Sequence, residues 1–304
     1  MLKIYFYRIN ETELDTKRER ALSVLPFWRV EKYTRMIPRS GKLLSLAAGL
    51  LLRHAMLDTT GIELKELEIA FNRHEKPYLT GRRLQGEGRS AGLIDGQLTG
   101  RSDELTARQF TGRIEGQIEG KNEEHVEALS QFEPVFFNLS HAGEYVALAV
   151  SDTQVGIDVE TKQDPGHGVA EHVFNDEERA AMKAAEDPER YFTRLWTRKE
   201  AYVKCTGTGI SVPLNEFSVL GDVIIARDEV NSGEKENENP AGRFSQKVEI
   251  CEREIDNGES ANCLPKRIYQ IRTLQETPEY ALSVCVQSEI FPQFSLDIVE
   301  EFSI

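Results

Sequence analysis

The chain is short of cysteine, of basic charge and of long apolar runs, and each shortage closes off a class of function. Four cysteines, Cys205, Cys251, Cys263 and Cys285, stand among 304 residues, and no two are spaced as CxxC. That argues against a zinc site and against a disulfide framework; it fits a reducing compartment, and a cytoplasmic location is expected. Lys and Arg number 37 against 51 Asp and Glu, for a formal net charge of −14. Such a chain lacks the basic footprint of a non-specific nucleic-acid binder, so an anionic ligand has to be held by a local knot of cations or by a metal ion. No apolar run approaches the roughly 18 residues of a membrane helix, and no membrane span is expected. The opening MLKIYFYRIN alternates Leu2, Ile4 and Phe6 with Lys3, Tyr5 and Tyr7. That is the period of a strand and not of a signal peptide. Hydrophobic residues make up 39% of the chain, enough for an ordinary core in one large domain or two smaller ones.

Residues 11–36 read as polar and helical, and a mostly apolar helix follows with Ser40 as its N-cap. ELEIAFNRHEKPYL gives a short strand and a loop. Residues 82–131 differ in kind: eight of the 22 glycines fall between Gly86 and Gly120, mostly four apart. Glycine costs a helix about 1 kcal/mol each and the polar filler buries little, so this is expected to be a flexible insertion outside the fold. Deleting residues 86–128 is expected to leave activity intact.

PVFFNLSHAGEYVALAVSD reads as a hairpin turning at Ala142-Gly143, and TQVGIDVE as a further strand. FNDEERAAMKAA opens a helix with Asn175 and Glu178 spaced as a capping box, and DPERYFTRLWTRKEAYVKCTG a second one with Asp187 as cap and Pro188 at the first position. Strands then resume in FSVL, DVIIA, KVEIC, RIYQIRTL and YALSVCV. EYVALAVS at 144–151 echoes EYALSVCV at 279–286. With helices preceding strands in each part, the echo points to an α+β fold of two similar halves, 1–151 and 152–304, joined near residue 152.

Four groups of residues suggest chemistry. In VGIDVE, strand alternation sends Val155, Ile157 and Val159 to a core and Asp158 and Glu160 together to the other side, about 7 Å apart along the backbone. Two like charges so placed repel unless a cation lies between them, so they are candidate metal ligands; the alternative is a solvent-exposed strand face. On the helix through residue 200, Phe192, Leu195, Trp196, Tyr202 and Val203 share an apolar stripe, with Glu200 and Lys204 one turn apart at its border. An i,i+4 surface pair worth about 0.3–0.5 kcal/mol would account for those two alone. Lys199 sits near the centre of the stripe, where it either snorkels to solvent or holds a carboxylate. Ser140 and His141 end a strand at a turn. They face opposite ways, which disfavours a nucleophile–base pair and leaves phosphate binding or a structural turn. Arg29, Lys32, Lys42 and Lys76 gather in the acidic chain's first part, either as an anion site or as solvated helix faces.

In chain order, KP at 76–77, NLSHAGEY at 138–145, GIDVE at 156–160 and WTRKEAYVKCTGTGI at 196–210 closely resemble the larger, surfactin-synthetase-activating (Sfp) type of 4′-phosphopantetheinyl transferase. The matching positions are Gly156, Ile157, Asp158, Glu160, Trp196, Thr197, Lys199, Glu200, Ala201, Lys204, Gly207 and Gly209. The resemblance implies two halves with pseudo-two-fold symmetry and coenzyme A in the cleft between them. It implies Mg²⁺ on Asp158, Glu160 and Glu200, and transfer of phosphopantetheine to a serine of an acyl or peptidyl carrier protein of fatty-acid, polyketide or nonribosomal-peptide synthesis. Glu200 would take the serine's proton and Lys204 would serve the departing bisphosphate. Ser140 and His141 would contact phosphates, Lys76 and Pro77 would border the adenine, and Arg29 and Lys32 would lie near the 3′-phosphate. Family members usually carry an arginine where Leu44 stands here, and Lys42 is the nearest base to replace it. The resemblance also implies a monomer. Two other readings use the same residues: a metal-dependent phosphohydrolase, and a non-catalytic carrier-protein binder on the same fold.

Overall fold

The computed structural model describes residues 1–71, 77–82, 135–162, 168–209, 212–228, 246–249 and 266–304. It is a mixed α and β structure with two sheets. The first has the order β11 (Phe294–Ile298), β1 (Leu2–Arg8), β5 (Tyr145–Ser151) and β4 (Phe136–Ala142). The second runs β6 (Val155–Thr161), β10 (Tyr280–Gln287), β9 (Lys266–Glu276), β7 (Val223–Asp228) and β8 (Gln246–Glu249). A separate antiparallel pair joins β2 (Leu67–Phe71) to β3 (Pro77–Arg82).

Period-2 patterning stacks these sheets. Leu2, Ile4 and Phe6 of β1 pack with Ala147 and Ala149 of β5 against Val155, Ile157 and Val159 of β6 and Leu282, Val284 and Val286 of β10. This core lies between the sheets. The other face of the first sheet is apolar too: Tyr5 and Tyr7 are buried with Val146, Leu148 and Val150 under helices. The opening strand is therefore buried on both faces, and its tyrosines keep their hydroxyls satisfied on Asp58 and Glu13. The sequence EYVALAVS forms β5, flanked by the first strand of its segment, β1, and the strand before it, β4. EYALSVCV forms β10, flanked in the same way by β6 and β9. The last strand, β11, crosses back and pairs in parallel with β1.

Helices α1 (Glu11–Val24), α2 (Phe27–Arg35) and α3 (Arg39–Thr60) cover the first sheet. The helical stretch breaks at Pro26, which has no N–H to give and holds Leu25 extended. The N-cap of α3 is Pro38 and not Ser40: its fixed φ of −66° starts the helix earlier and leaves Ser40 inside the first turn. Gly61, at φ +70°, ends the helix left-handed. Against the second sheet lie α4 (Val169–Val173), α5 (Asp176–Ala184) and α6 (Pro188–Thr206). Both bonds of the expected capping box at Asn175 and Glu178 are made, and Asp187 Oδ1 accepts from Arg190 N at 3.1 Å ahead of Pro188.

Further expectations change. The loop expected after the strand of ELEIAFNRHEKPYL gives way to a second strand, β3, from Pro77. The hairpin loop is Gly143-Glu144, since Ala142 pairs with Tyr145, and Gly143 has φ +55°. FSVL is not a strand: the Phe217 carbonyl accepts from Lys199 and the Val219 N–H donates to Glu178, so its backbone serves a buried ion pair in place of a ladder. Most of the glycine-rich stretch, from residue 83 onward, lies outside the described residues. Among the described residues no helix is long and apolar enough to cross a membrane.

Candidate active site

The site forms where the edge strands of the two sheets meet. Strand β4 ends the first sheet and β6 the second. Asn138 on β4, itself buried, accepts the Ile157 N–H on its Oδ1 at 2.9 Å, so a side chain continues the hydrogen bonding from one sheet edge to the other. Two residues on, Ser140 Oγ donates to Asp158 Oδ1 at 2.8 Å.

Alternation along β6 turns Gly156, Asp158 and Glu160 away from the inter-sheet core and toward α6. Gly156 sets the spacing. A Cβ there would lie 2.1 Å from the Ala201 carbonyl oxygen and 2.3 Å from the Cys205 nitrogen, so the helix rests directly on the strand. Glu200 and Lys204 each precede one of those contact residues and are carried to the carboxylates. Lys204 Nζ reaches Asp158 Oδ1 at 2.5 Å and Ser140 Oγ at 2.9 Å. One turn before Glu200, Trp196 donates its indole N–H to Glu160 Oε1 at 3.3 Å.

Burial and mutual charge govern the acids. Asp158 is 2% exposed, and burial raises its pKa, opposed by Lys204 and by the Ser140 hydrogen bond. Burial first, and then the charge of Asp158, push Glu160 up to about 7; the Trp196 bond and Lys204 oppose this. Glu200 is raised by burial and by Asp158, and Lys204 again opposes. Three acids that all resist ionisation define a point wanting positive charge. Asp158 Oδ2 is buried with no hydrogen-bond partner. In chemistry this all-oxygen set fits a hard divalent cation such as Mg²⁺. In geometry, no group of three or more His, Cys, Asp or Glu side chains among the described residues is closed around a metal position. The cation seated on Asp158 is the ammonium of Lys204.

His141 lies beside Ser140 at the end of β4. Desolvation lowers its pKa, and the charges of Lys32, Lys204 and Arg29 add to the effect. One imidazole thus senses cations from α2 and from α6. Arg29 is buried: its Nη2 donates to the Ser45 carbonyl at 2.6 Å, its guanidinium lies over the Trp28 ring, and burial lowers its pKa to about 10. Lys42 Nζ lies 5.6 Å from the centre of the Tyr33 ring. Pro77 opens β3 opposite Phe71, and Lys76 lies outside the described residues.

Lys199 holds a carboxylate. It is fully buried, with Nζ 2.8 Å from Glu178 Oε2 and 2.6 Å from the carbonyls of both Leu214 and Phe217. Burial lowers its pKa and Glu178 opposes. The capping-box spacing marked Glu178 only as a helix-start residue, and nothing in the sequence tied it to Lys199. Asn138 opens the NLSHAGEY stretch, but nothing in the sequence gave it a role; an asparagine inside an apolar strand was the signal available.

Residues 154–238 match the model of the 4′-phosphopantetheinyl transferase superfamily. Over 84 residues the chain is 44% identical to the 4′-phosphopantetheinyl transferase psf-1 of Bacillus pumilus, covering 27% of this chain and 36% of that protein. It is 36% identical over 85 residues to the 4′-phosphopantetheinyl transferase Sfp of Bacillus subtilis (strain 168), covering 27% and 38%. With the 4′-phosphopantetheinyl transferase AcpT of Salmonella typhi it shares 46% over 86 residues, covering 26% and 44%. The chain thus matches less than half the length of these curated relatives. Of the four stretches that carry the resemblance, the last two, GIDVE and WTRKEAYVKCTGTGI, lie in the matched segment, with Asp158, Glu160, Glu200 and Lys204.

Proposed function

We propose that the protein transfers the 4′-phosphopantetheine arm of coenzyme A to a serine hydroxyl of an acyl or peptidyl carrier protein, in an Mg²⁺-dependent reaction that leaves holo-carrier and adenosine 3′,5′-bisphosphate. The observation that carries this reading is the gathering of Ser140, Asp158 and Lys204 by direct contacts at the seam of the two sheets, with Glu160 and Glu200 in the field of Asp158; all but Ser140 lie inside the segment similar to such transferases.

Asp158, Glu160 and Glu200 would hold Mg²⁺, which when bound neutralises charge on the pyrophosphate oxygens. Glu200 takes the hydrogen of the carrier serine, directly or through water. The serine oxygen then bonds to the pantetheine-side phosphorus as the bridging P–O bond breaks. Lys204 supplies charge or a proton to the departing bisphosphate. Ser140 and His141 contact phosphate oxygens. Arg29, Lys32 and Lys42 set a positive field for the 3′-phosphate, and Lys76 with Pro77 borders the adenine.

The matching surroundings of β5 and β10 support the further reading that two halves related by pseudo-two-fold symmetry, 1–151 and 152–304, flank the nucleotide cleft. We propose, on the resemblance alone, that the enzyme works as a monomer in the cytoplasm. The test is mass spectrometry of several apo carrier proteins after incubation with enzyme, coenzyme A and Mg²⁺. One phosphopantetheine is expected on the carrier serine, and Glu200→Gln should abolish transfer while coenzyme A binding survives. Release of bisphosphate without any carrier present would favour a hydrolase, and coenzyme A binding with no transfer to any carrier would favour a non-catalytic binder.

A further inference from the structure

Lys204 is placed for a second task. In the proposed reaction its ammonium meets a leaving phosphate, yet in this structure it is bonded to Asp158 Oδ1 and to Ser140 Oγ. Asp158 is nearly fully buried, and Ser140 Oγ donates to the same Oδ1. The second oxygen, Oδ2, is buried with no hydrogen-bond partner. A buried carboxylate beside two further acids is costly to ionise unless a cation neutralises it. Lys204 delivers that cation from one turn beyond Glu200, on the helix that Gly156 holds against the strand.

We propose that Lys204 is an internal counter-cation that competes with a divalent ion for Asp158, so that metal loading and release of the Lys204 ammonium toward substrate are one coupled event. This rests on the proposal that Asp158, Glu160 and Glu200 form a metal site. The coupling has a chemical use. With Lys204 clamped on Asp158, the acid cluster is kept neutral enough to fold and the leaving-group cation is held back. Once Asp158 is neutralised from outside, Lys204 keeps Ser140 as a neighbour and gains freedom to reach a phosphate oxygen. One cation replaces another at the same carboxylate, the divalent ion bringing one more positive charge than the ammonium it displaces, and linkage between two ligands of one site makes each weaken the other.

The experiment uses Mn²⁺ as probe, with free aquo-Mn²⁺ counted by electron paramagnetic resonance on the full-length protein without coenzyme A or carrier. Wild type is expected to bind Mn²⁺ saturably, and Glu160→Gln to weaken it. Lys204→Met should tighten Mn²⁺ binding about tenfold or more, because a unit charge close to the ligand carboxylate no longer has to be displaced. A second readout needs no variant. Lys204 in wild type is pulse-labelled with acetic anhydride and quantified by mass spectrometry. Its labelling should rise when Mn²⁺ saturates the site, while Lys199 stays protected. Unchanged or weaker Mn²⁺ binding in Lys204→Met, or Lys204 labelling that stays level or falls on Mn²⁺ saturation, overturns the competition while leaving the metal site intact. Absence of saturable Mn²⁺ binding in wild type, or binding indifferent to Glu160→Gln, instead removes the metal site on which the competition depends.

Discussion

Gly156 and Ala201 touch backbone to backbone: a Cβ on the glycine would sit 2.1 Å from the alanine's carbonyl oxygen. Both partners are main chain, so no rotamer can relieve the clash, and β6 and α6 would have to separate. Gly156→Ala is expected to cost about 3 kcal/mol or more, at the upper end of overpacking effects. It should also draw Glu200 and Lys204 away from Asp158. Urea denaturation and carrier loading measure the two consequences. A Gly156→Ala protein with wild-type stability and activity would show that the helix does not rest on the strand as described.

Lys199 and Glu178 make the second structural claim open to test. Both side chains are fully buried, and Glu178 also receives the N–H groups of Asn175 and Val219. Removing one partner strands a buried charge, so Lys199→Met or Glu178→Gln should each lower stability by about 3–5 kcal/mol. The pair Lys199→Met with Glu178→Gln should lose less than the sum of the two, because no orphaned charge remains. Chemical denaturation of the four proteins completes the cycle. Additive losses would mean that the two groups do not depend on each other.

What was legible in the sequence follows from the range of the interactions involved. Asn175 with Glu178, and Asp187 with Pro188, act within four residues, and their caps form as the spacing predicts. The alternation of Val155, Ile157 and Val159 is local too, and these residues face a core. Burial of the opposite face of β6 was not legible, because it depends on residues of α6 that lie 36 to 46 positions further on, and the only local trace is the absent side chain at Gly156. FSVL shows the same limit: Phe217 and Val219 are apolar at strand spacing, yet Lys199 and Glu178 claim their backbone groups. The return of β11 to pair with β1 joins residues nearly three hundred apart; FSLDI alternates as a strand does, but nothing local names its partner. For the site, motif order gathered the acids and Lys204, but the contact of Lys204 with Asp158 and the bridging of the sheets by Asn138 needed coordinates.

Trp196 is expected to tune Glu160. Its indole N–H donates to Oε1 and favours the ionised form. Trp196→Phe keeps the stacking surface against Phe192 and removes the donor. The midpoint of Glu160 should then rise above its present value of about 7. Carboxyl ¹³C NMR on protein labelled at glutamate, with Glu160→Gln to assign the resonance, reads the shift. A midpoint that stays put or falls would mean that the hydrogen bond has no influence on the acid.

Glu160 also makes stability depend on pH in an uncommon direction. Its pKa rises from 4.5 to about 7 on folding, so between those values the folded protein keeps a proton that the unfolded chain has lost. Proton uptake then favours the native state: the contribution is fully present below pH 4.5 and is lost as the pH climbs through 7. The depressed acids Asp58, Asp187 and Glu301 act with the opposite sign, below their ordinary values of 3.8 to 4.5. His141, lowered by burial, acts with the opposite sign just under its ordinary value of 6.5, but equally in wild type and in Glu160→Gln, so the difference between the two proteins isolates Glu160. Asp158 and Glu200 are raised as well and reinforce it. Urea midpoints measured in a chelating buffer from pH 5 to 8 should therefore decline for wild type more steeply than for Glu160→Gln, which holds a neutral side chain throughout. Parallel curves for the two proteins would mean that Glu160 is as easily ionised in the fold as in the open chain, and that the acids at the seam do not crowd one another.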